Sequence, residues 1–504
     1  MRKKNSIKNM IASMGSNIVT IIIGLAAQAI FIKILGEEYL GLNGLFSNII
    51  SMLGIVELGI GNAIIYNLYK PIANNNIEEI KSLMRFYKKS YRIIALFVLI
   101  IGLLIIPLLQ FIVDLDSVTI SINVYFVYIL FLIDIVCSYL LSYKRSILYA
   151  YQKNYIVNII HMGYTILLNI LQLLILYVTK NYYLYLVIKI IVRLLENIII
   201  TIIANKKYNY LLDKDIKALD KKIEKDIFTK VKALFFHKIG SFIVLGSDNI
   251  IISKFLGLTT VGLYSNYYLI INAVQTLFGQ TLVALIPSVG NLLVTEKKDK
   301  VFDVFKKVRF MNFWISTFAS IALLVIMQSF INIWIGEKYL LSVAVLMVLV
   351  FNFYQKMMRN SYGTFKEAAG IYNEDKFVPV VESLINIIVS IILVKKIGLA
   401  GVFVGTIISG LALWCFSYPK YVYKKLFERS YVDYAKETIG YILLFVTIAA
   451  ITYYISTLIN FSNIYLEFIV NCLISVIIPN LILLIVFFNN GNFKYYLNLV
   501  KKKL

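Results

Sequence analysis

Carboxylates are scarce in this chain. It has 27 Asp and Glu against 50 Lys and Arg, and charged residues of all kinds make up only 15% of its 504 positions. Histidine occurs twice and cysteine three times, with Cys137, Cys415 and Cys472 each inside an apolar run. Such cysteines read as small buried hydrophobes, and neither a disulfide framework nor a metal-ligand cluster follows from them. The chain has no GxxxxGK[ST] loop to cradle nucleotide phosphates and no GxSxG nucleophile turn. Its longest polar segment, Asn205 to Lys232, is too short for a catalytic domain. These absences argue against an enzyme, and no metal or cofactor is expected.

What is present is apolar sequence. The chain is 60% hydrophobic with a mean hydropathy of +0.81, whereas a soluble protein is nearer half apolar. Apolar runs of membrane-spanning length follow one another without strand alternation, which predicts an all-α polytopic membrane protein. About fourteen transmembrane helices are expected. The first six run near Met10–Ile34, Leu42–Tyr66, Ile93–Val113, Ile122–Tyr143, Ile156–Val178 and Tyr183–Ala204. The next six are Ala233–Phe255, Gly262–Gly290, Phe310–Ile335, Leu340–Met358, Phe377–Val394 and Leu399–Tyr418, followed by Ile439–Ile459 and Ile464–Phe488. No cleavable leader is expected, because the first run is too long for one.

A net charge of +23 could signal nucleic acid. Here the cations cluster between the apolar runs instead, at Arg2-Lys3-Lys4, Lys81 to Arg92, Lys144-Arg145, Lys206-Lys207, Lys297-Lys298, Lys424-Lys425 and Lys501-Lys502-Lys503. The alternate turns, Glu37-Glu38, Asp114-Leu115-Asp116 and Phe461-Ser462-Asn463, are short and cation-free. Positive loops stay in the cytoplasm, so both termini are expected there, and no nucleic-acid partner is. Within 205–232, Ile216, Leu219, Ile223, Ile227 and Val231 recur at helical spacing, which predicts an amphipathic helix on the inner leaflet.

The chain also repeats itself. Lys33-Ile34-Leu35-Gly36 through Gly41-Leu42 returns 221 positions later as Lys254-Phe255-Leu256-Gly257 through Gly262-Leu263. Tyr87-Lys88-Lys89 maps on Phe305-Lys306-Lys307 and Gln110 on Gln328, both 218 apart, and Tyr151 maps on Tyr372. Six spans per copy make the two repeats parallel in the membrane. The expected layout is a six-helix lobe over 1–204, a linker over 205–232, a second six-helix lobe over 233–420, and two further helices with a basic tail over 421–504.

The segment from Ile32-Lys33-Ile34-Leu35-Gly36 through Tyr39-Leu40-Gly41-Leu42 to Glu57-Leu58-Gly59-Ile60-Gly61, and its partner from Asp248-Asn249 to Val261-Gly262-Leu263-Tyr264, resemble the oligosaccharide flippases of the Wzx type. That superfamily also holds MATE exporters and MurJ-type lipid II flippases. The resemblance implies two lobes in a V with alternating access, in the bacterial cytoplasmic membrane. It implies export of undecaprenyl-pyrophosphate-linked oligosaccharide repeat units for capsule, O-antigen or another surface polymer. A proton or sodium gradient or the membrane potential would drive transport. The expected partners are membrane lipids and the polymerase and assembly machinery, with the transporter itself a monomer. A MATE-like cation-coupled drug exporter and a lipid II flippase are the alternatives. The arginine cluster of MurJ-type proteins has no counterpart in the first spans, where Ala27 and Gln28 stand instead.

Charges within the spans are costly and mark candidate sites. Lys189, Arg193 and Glu196 share one face of the sixth span. Arg193 and Glu196 are expected to neutralise each other, leaving Lys189 as an uncompensated cation. Asp134 has only polar neighbours in its own span, and Glu57 lies mid-span among glycines. Arg193, Lys189, Lys33 and Lys254 are the candidates to meet a pyrophosphate; Lys33 and Lys254 would otherwise only snorkel. Glu57, Asp134, Asp248 and Glu196 are the candidate ion-coupling or cavity carboxylates, against the plainer reading of structural hydrogen bonds. Pro287, Gly36 and Gly257 are candidate gating bends. His161 reads as near the cytoplasmic face and unremarkable.

Overall fold

The protein was analysed as a computed structural model, which describes residues 2–113, 120–213, 216–371, 374–375, 377–459 and 461–501. The turn at Asp114-Leu115-Asp116, Tyr372 of the repeat and the last lysines of the tail lie outside the described residues. Among the described residues the regular structure is helical, with no strand. Helices satisfy every backbone group within one segment, as hydrocarbon surroundings require. The chain divides into two compact units, 1–262 and 263–504.

The first unit opens with α1 (Arg2–Leu35), α2 (Glu37–Leu53) and α3 (Ile55–Ala73). The expected second span is thus two helices meeting at Gly54. Then come α4 (Ile77–Ile105), continued by a 3-10 turn into α5 (Leu109–Ile112), α6 (Val124–Ala150), α7 (Asn154–Thr179) and α8 (Tyr182–Lys207). Asn76, Asn123 and Asn181 cap α4, α6 and α8 with their side-chain oxygens, satisfying amide groups that a helix start leaves open. α6 packs on α4 and α8, and α7 on α1 and α8.

α9 (Lys221–Val283) carries the chain from the first unit into the second. It starts at Lys221 and runs on into the seventh span. Residues 216–220 are not helical, so the linker's apolar period belongs to an extension of that span and not to a separate surface helix.

The second unit continues with α10 (Ile286–Thr295), α11 (Lys298–Ile335), α12 (Val343–Ala368), α13 (Val378–Ile397) and α14 (Leu399–Ala412), which passes into a π-helical stretch over Leu413–Leu426. α15 (Tyr431–Thr457), α16 (Ile464–Phe487) and α17 (Gly491–Lys501) end the chain. α11 is the hub, packing on α12, α15 and α16, so the last two spans are built into this unit's core.

The repeat is visible in the backbone. Gly36 breaks the chain between α1 and α2 at φ 91°, ψ −179°, and Gly257 breaks α9 at φ 82°, ψ 168°. Positive φ is where glycine is tolerated and other residues are strained. Two positions 221 apart therefore make the same turn. Tyr87 and its counterpart Phe305 are both fully buried.

Ten segments are long and apolar enough to cross a membrane by length and composition among the described residues. Of the fourteen expected spans, the second, sixth and tenth are not among them, and the seventh and eighth fall in one segment. The second is split at Gly54, and the sixth, α8, carries Lys189, Arg193 and Glu196. The protein is an integral, multi-pass membrane protein.

Candidate functional site

The charged side chains of the fourth, fifth and sixth spans converge in the first unit. Lys189 Nζ lies 3.2 Å and Arg193 Nε 3.4 Å from the two carboxylate oxygens of Asp134. Glu196 is reached by Arg145 Nη2 at 3.1 Å, His161 Nδ1 at 3.0 Å and Arg193 Nη1 at 3.8 Å. Asn197 ties the assembly to α6, accepting from Arg145 at 2.9 Å and donating to the carbonyls of Cys137 and Ser138, each at 3.3 Å. Lys189 also sits over the Phe131 ring and Arg193 over Tyr164, at 4.8 and 4.9 Å from the centroids.

Helical periodicity explains the convergence. Lys189, Arg193 and Glu196 occupy successive turns of one face of α8, and Asp134 and Arg145 stand three turns apart on one face of α6. Arg193 lies about 17 Å along the axis from Tyr182 at 1.5 Å per residue, near the middle of a 26-residue helix.

The layering of the charges decides what the site can do. The Glu196 side chain is fully buried and Asp134 is 11% exposed, while Arg193 and Lys189 keep 22% and 24%. The carboxylates hold the cations from behind, and the cations are the accessible face. Lys189, Arg193 and Arg145 stand against Asp134 and Glu196, three cations to two carboxylates before His161 is counted. Accessible cations at this depth need a polar path or an anionic partner, because hydrocarbon solvates them poorly.

These pairings correct several expectations. Lys189 is not left uncompensated, because Asp134 takes it. Asp134 has charged partners, contributed by α8 and invisible within its own span. Arg193 and Glu196 do pair, as expected, at 3.8 Å, while Arg145 and His161 hold Glu196 more closely. Arg145 lies inside α6, which runs past Tyr143 to Ala150, and not in a loop; His161 is a member of the cluster and not a bystander.

Glu57 stands apart. It lies one turn beyond the Gly54 break, its N–H donating to the Gly54 carbonyl at 3.1 Å. It accepts from Tyr91 Oη at 3.0 Å, and Tyr139 faces it as well. No cation comes within ion-pair distance of it among the described residues. Tyr87 Oη donates at 2.6 Å to the carbonyl of Gly61, in the same helix as Glu57. Glu57 is thus a largely buried carboxylate hydrogen-bonded by a tyrosine hydroxyl, with Arg145 acting on it electrostatically from beyond ion-pair distance.

The other candidates are dispersed. Asp248 is buried in α9. Lys33 and Lys254 are both exposed, each three residues before its glycine break. Pro287 sits in the first turn of α10, just after α9 ends at Val283. In the second unit Arg359 grips Glu382 with two nitrogens, at 2.8 and 3.3 Å, and Arg309, missed in the sequence, is buried against Glu437 and Tyr423.

Among solved structures the chain is similar to the lipid II flippase MurJ in an inward closed conformation, with a TM-score of 0.69 and 14% identity over 96% of this chain and 99% of that one. It is also similar to an inward-facing multidrug resistance MATE family transporter of the MOP superfamily, with a TM-score of 0.60 and 13% identity over 80% and 95%. A Vibrio cholerae MATE transporter follows, with a TM-score of 0.56 and 12% identity over 82% and 96%. At these identities the likeness establishes the fold. The search of curated proteins finds no match by sequence. Residues 6–292, more than half of the chain, match the family described as "Polysaccharide biosynthesis protein"; with the repeat, the helical architecture and the shared fold, the chain belongs to that family.

Proposed function

We propose that this protein is a flippase that moves undecaprenyl-pyrophosphate-linked oligosaccharide repeat units from the inner to the outer leaflet of the bacterial cytoplasmic membrane, by alternating access. The observation that carries the reading is the mid-span cluster in which Lys189 and Arg193 are presented over Asp134 and Glu196. A diphosphate diester carries about two negative charges, which bare hydrocarbon would reject. Paired cations that stay accessible give it a place to rest without trapping it. Leaving the negative interior gains ~2.3 kcal/mol per charge per 100 mV. Family membership points the same way, to a sugar polymer under construction.

Both termini face the cytoplasm in this reading, because the basic segments do. Lys33 and Lys254 then stand toward the outer ends of their spans, and Glu57 takes up a proton or sodium ion to reset the empty carrier. No cofactor is required, and no bond is made or broken. Deletion tests the reading: it should abolish the surface polysaccharide and accumulate lipid-linked repeat units inside. Intact polymer with new sensitivity to lipophilic cations would favour a MATE-like drug exporter, and arrested peptidoglycan synthesis would favour lipid II.

A further inference from the structure

A second charged site lies in the first unit, away from the mid-span cluster. The start of α4, the ends of α6 and α8, and the segment after α8 enclose a cavity of about 650 Å³, a size typical of ligand sites. Six cations line it: Lys81, Arg85, Lys88, Lys89, Arg92 and Lys144. Among the described residues Asp213 is the one carboxylate in its wall.

Only Lys81 among the six is ion-paired among the described residues, to Asp213 at 3.2 Å and to Glu78. Arg85 donates to the Ile216 carbonyl at 2.7 Å, and Lys144 to Asn205 Oδ1 at 2.7 Å. Lys144 is only 6% exposed, a buried ammonium with no carboxylate against it among the described residues. The preference for cations in one set of loops accounts for their number. It does not account for their enclosure around a shared space, where like charges repel unless an anion sits between them.

We propose that this cavity binds an anion carrying two or more phosphate groups. The apolar run of α4 begins at Ile93, directly after Arg92, so the site opens at the membrane surface, where phosphate headgroups lie. Described residues beyond α8 bind its wall: Asp213 is tied to Lys81, the Ile216 carbonyl accepts from Arg85, and the Lys217 carbonyl accepts from Ser82 Oγ at 2.9 Å. Arg85 would exchange a carbonyl for phosphate as the anion enters. Tyr143, Thr201 and Asn205 supply uncharged hydrogen-bonding groups. The proposal does not depend on the transport reading, since none of these residues belongs to the mid-span cluster.

The test is binding to the purified full-length protein. In detergent, inorganic diphosphate should raise the melting temperature with saturation, and inorganic phosphate should do so only at concentrations at least tenfold higher. The Lys88→Gln, Lys89→Gln, Arg92→Gln triple variant should weaken diphosphate binding at least tenfold; a Lys297→Gln, Lys396→Gln, Lys436→Gln control with the same charge loss should not. If the triple variant fails to fold, Lys88→Gln and Arg92→Gln singly should each weaken binding about threefold. Nanodiscs of phosphatidylcholine with and without cardiolipin identify the source. Cardiolipin retained by wild type and lost by the triple variant, as read by native mass spectrometry, marks a lipid headgroup. Diphosphate binding without cardiolipin retention marks a soluble anion. Wild type that binds neither, or a triple variant that binds like wild type, overturns the proposal.

Discussion

Gly41 and Gly262, 221 positions apart in the sequence, touch in the structure. A methyl group built on Gly41 would overlap the Leu258 carbonyl and lie 3.2 Å from the Gly262 nitrogen; one built on Gly262 would overlap the Glu37 carbonyl and lie 3.2 Å from the Gly41 nitrogen. Glu37 and Leu258 are themselves 221 apart. The contact is reciprocal, as at a twofold interface, and it joins the starts of the two repeats backbone to backbone within the first unit.

Gly41→Ala and Gly262→Ala should therefore each destabilise the protein by about 1–3 kcal/mol, the usual result of overfilling a close contact. Thermal melting in detergent checks this. Surface polymer should fall in both variants with protein still in the membrane. Unchanged melting in both would mean that the helices do not cross this closely.

Asp134 holds two cations at once, so Asp134→Asn should harm more than Lys189→Gln does. The double change should recover part of the loss, because it removes the ammonium that Asp134→Asn strands. A coupling on the order of 1 kcal/mol between the two positions is expected from a double-mutant cycle of melting temperatures. Strict additivity would show that the two groups do not interact.

Much of the architecture was legible in the sequence. The glycines of the repeat could be read because a turn at positive φ leaves few alternatives, so both copies kept Gly36 and Gly257 at one spacing. Apolar length showed that the chain is a series of membrane helices but not their limits: α4 starts at Ile77 and α11 at Lys298, both well before their apolar runs. The charge pairing was not legible. Asp134 meets Arg193 across 59 positions and Arg145 meets Glu196 across 51, and nothing local to one helix reports the other. Arg145 was hidden further because the apolar run stops at Tyr143 while the helix continues to Ala150. One signal was available: Asp134 and Arg145 are eleven residues apart, three full turns on one face.

Topology has a direct test. Single cysteines at Glu38 and Asn463 should react with a membrane-impermeant maleimide in intact cells, and one at Lys298 only after lysis. Labelling of the Lys298 position in intact cells would reverse the orientation and place the basic segments outside.

The turn after the π-helical stretch is clamped to the start of α11. Lys298 Nζ lies 2.5 Å from Glu428, and Arg429 Nη2 2.6 Å from Asp299. The hydrogen bond from Lys298 holds the Glu428 carboxyl below its ordinary value of 4.5. A depressed carboxylate stabilises the fold above its unfolded pKa and loses that effect as pH falls through the folded one. Wild type should thus lose slightly more melting temperature than Glu428→Gln between pH 7 and pH 4, and the difference should shrink in high salt because the pair is exposed. An equal loss at low salt would show that the pair contributes nothing.

The most direct measurement is flipping itself. Purified protein would be reconstituted into vesicles carrying a labelled undecaprenyl-pyrophosphate-linked oligosaccharide, and the fraction of sugar open to a membrane-impermeant glycosidase followed with time. The account predicts protein-dependent loss of the protected fraction, faster under a membrane potential that draws negative charge toward the enzyme's side, and at least tenfold slower with Arg193→Ala. Folded wild-type protein that leaves the protected fraction as stable as in protein-free vesicles, with and without the potential, would contradict it.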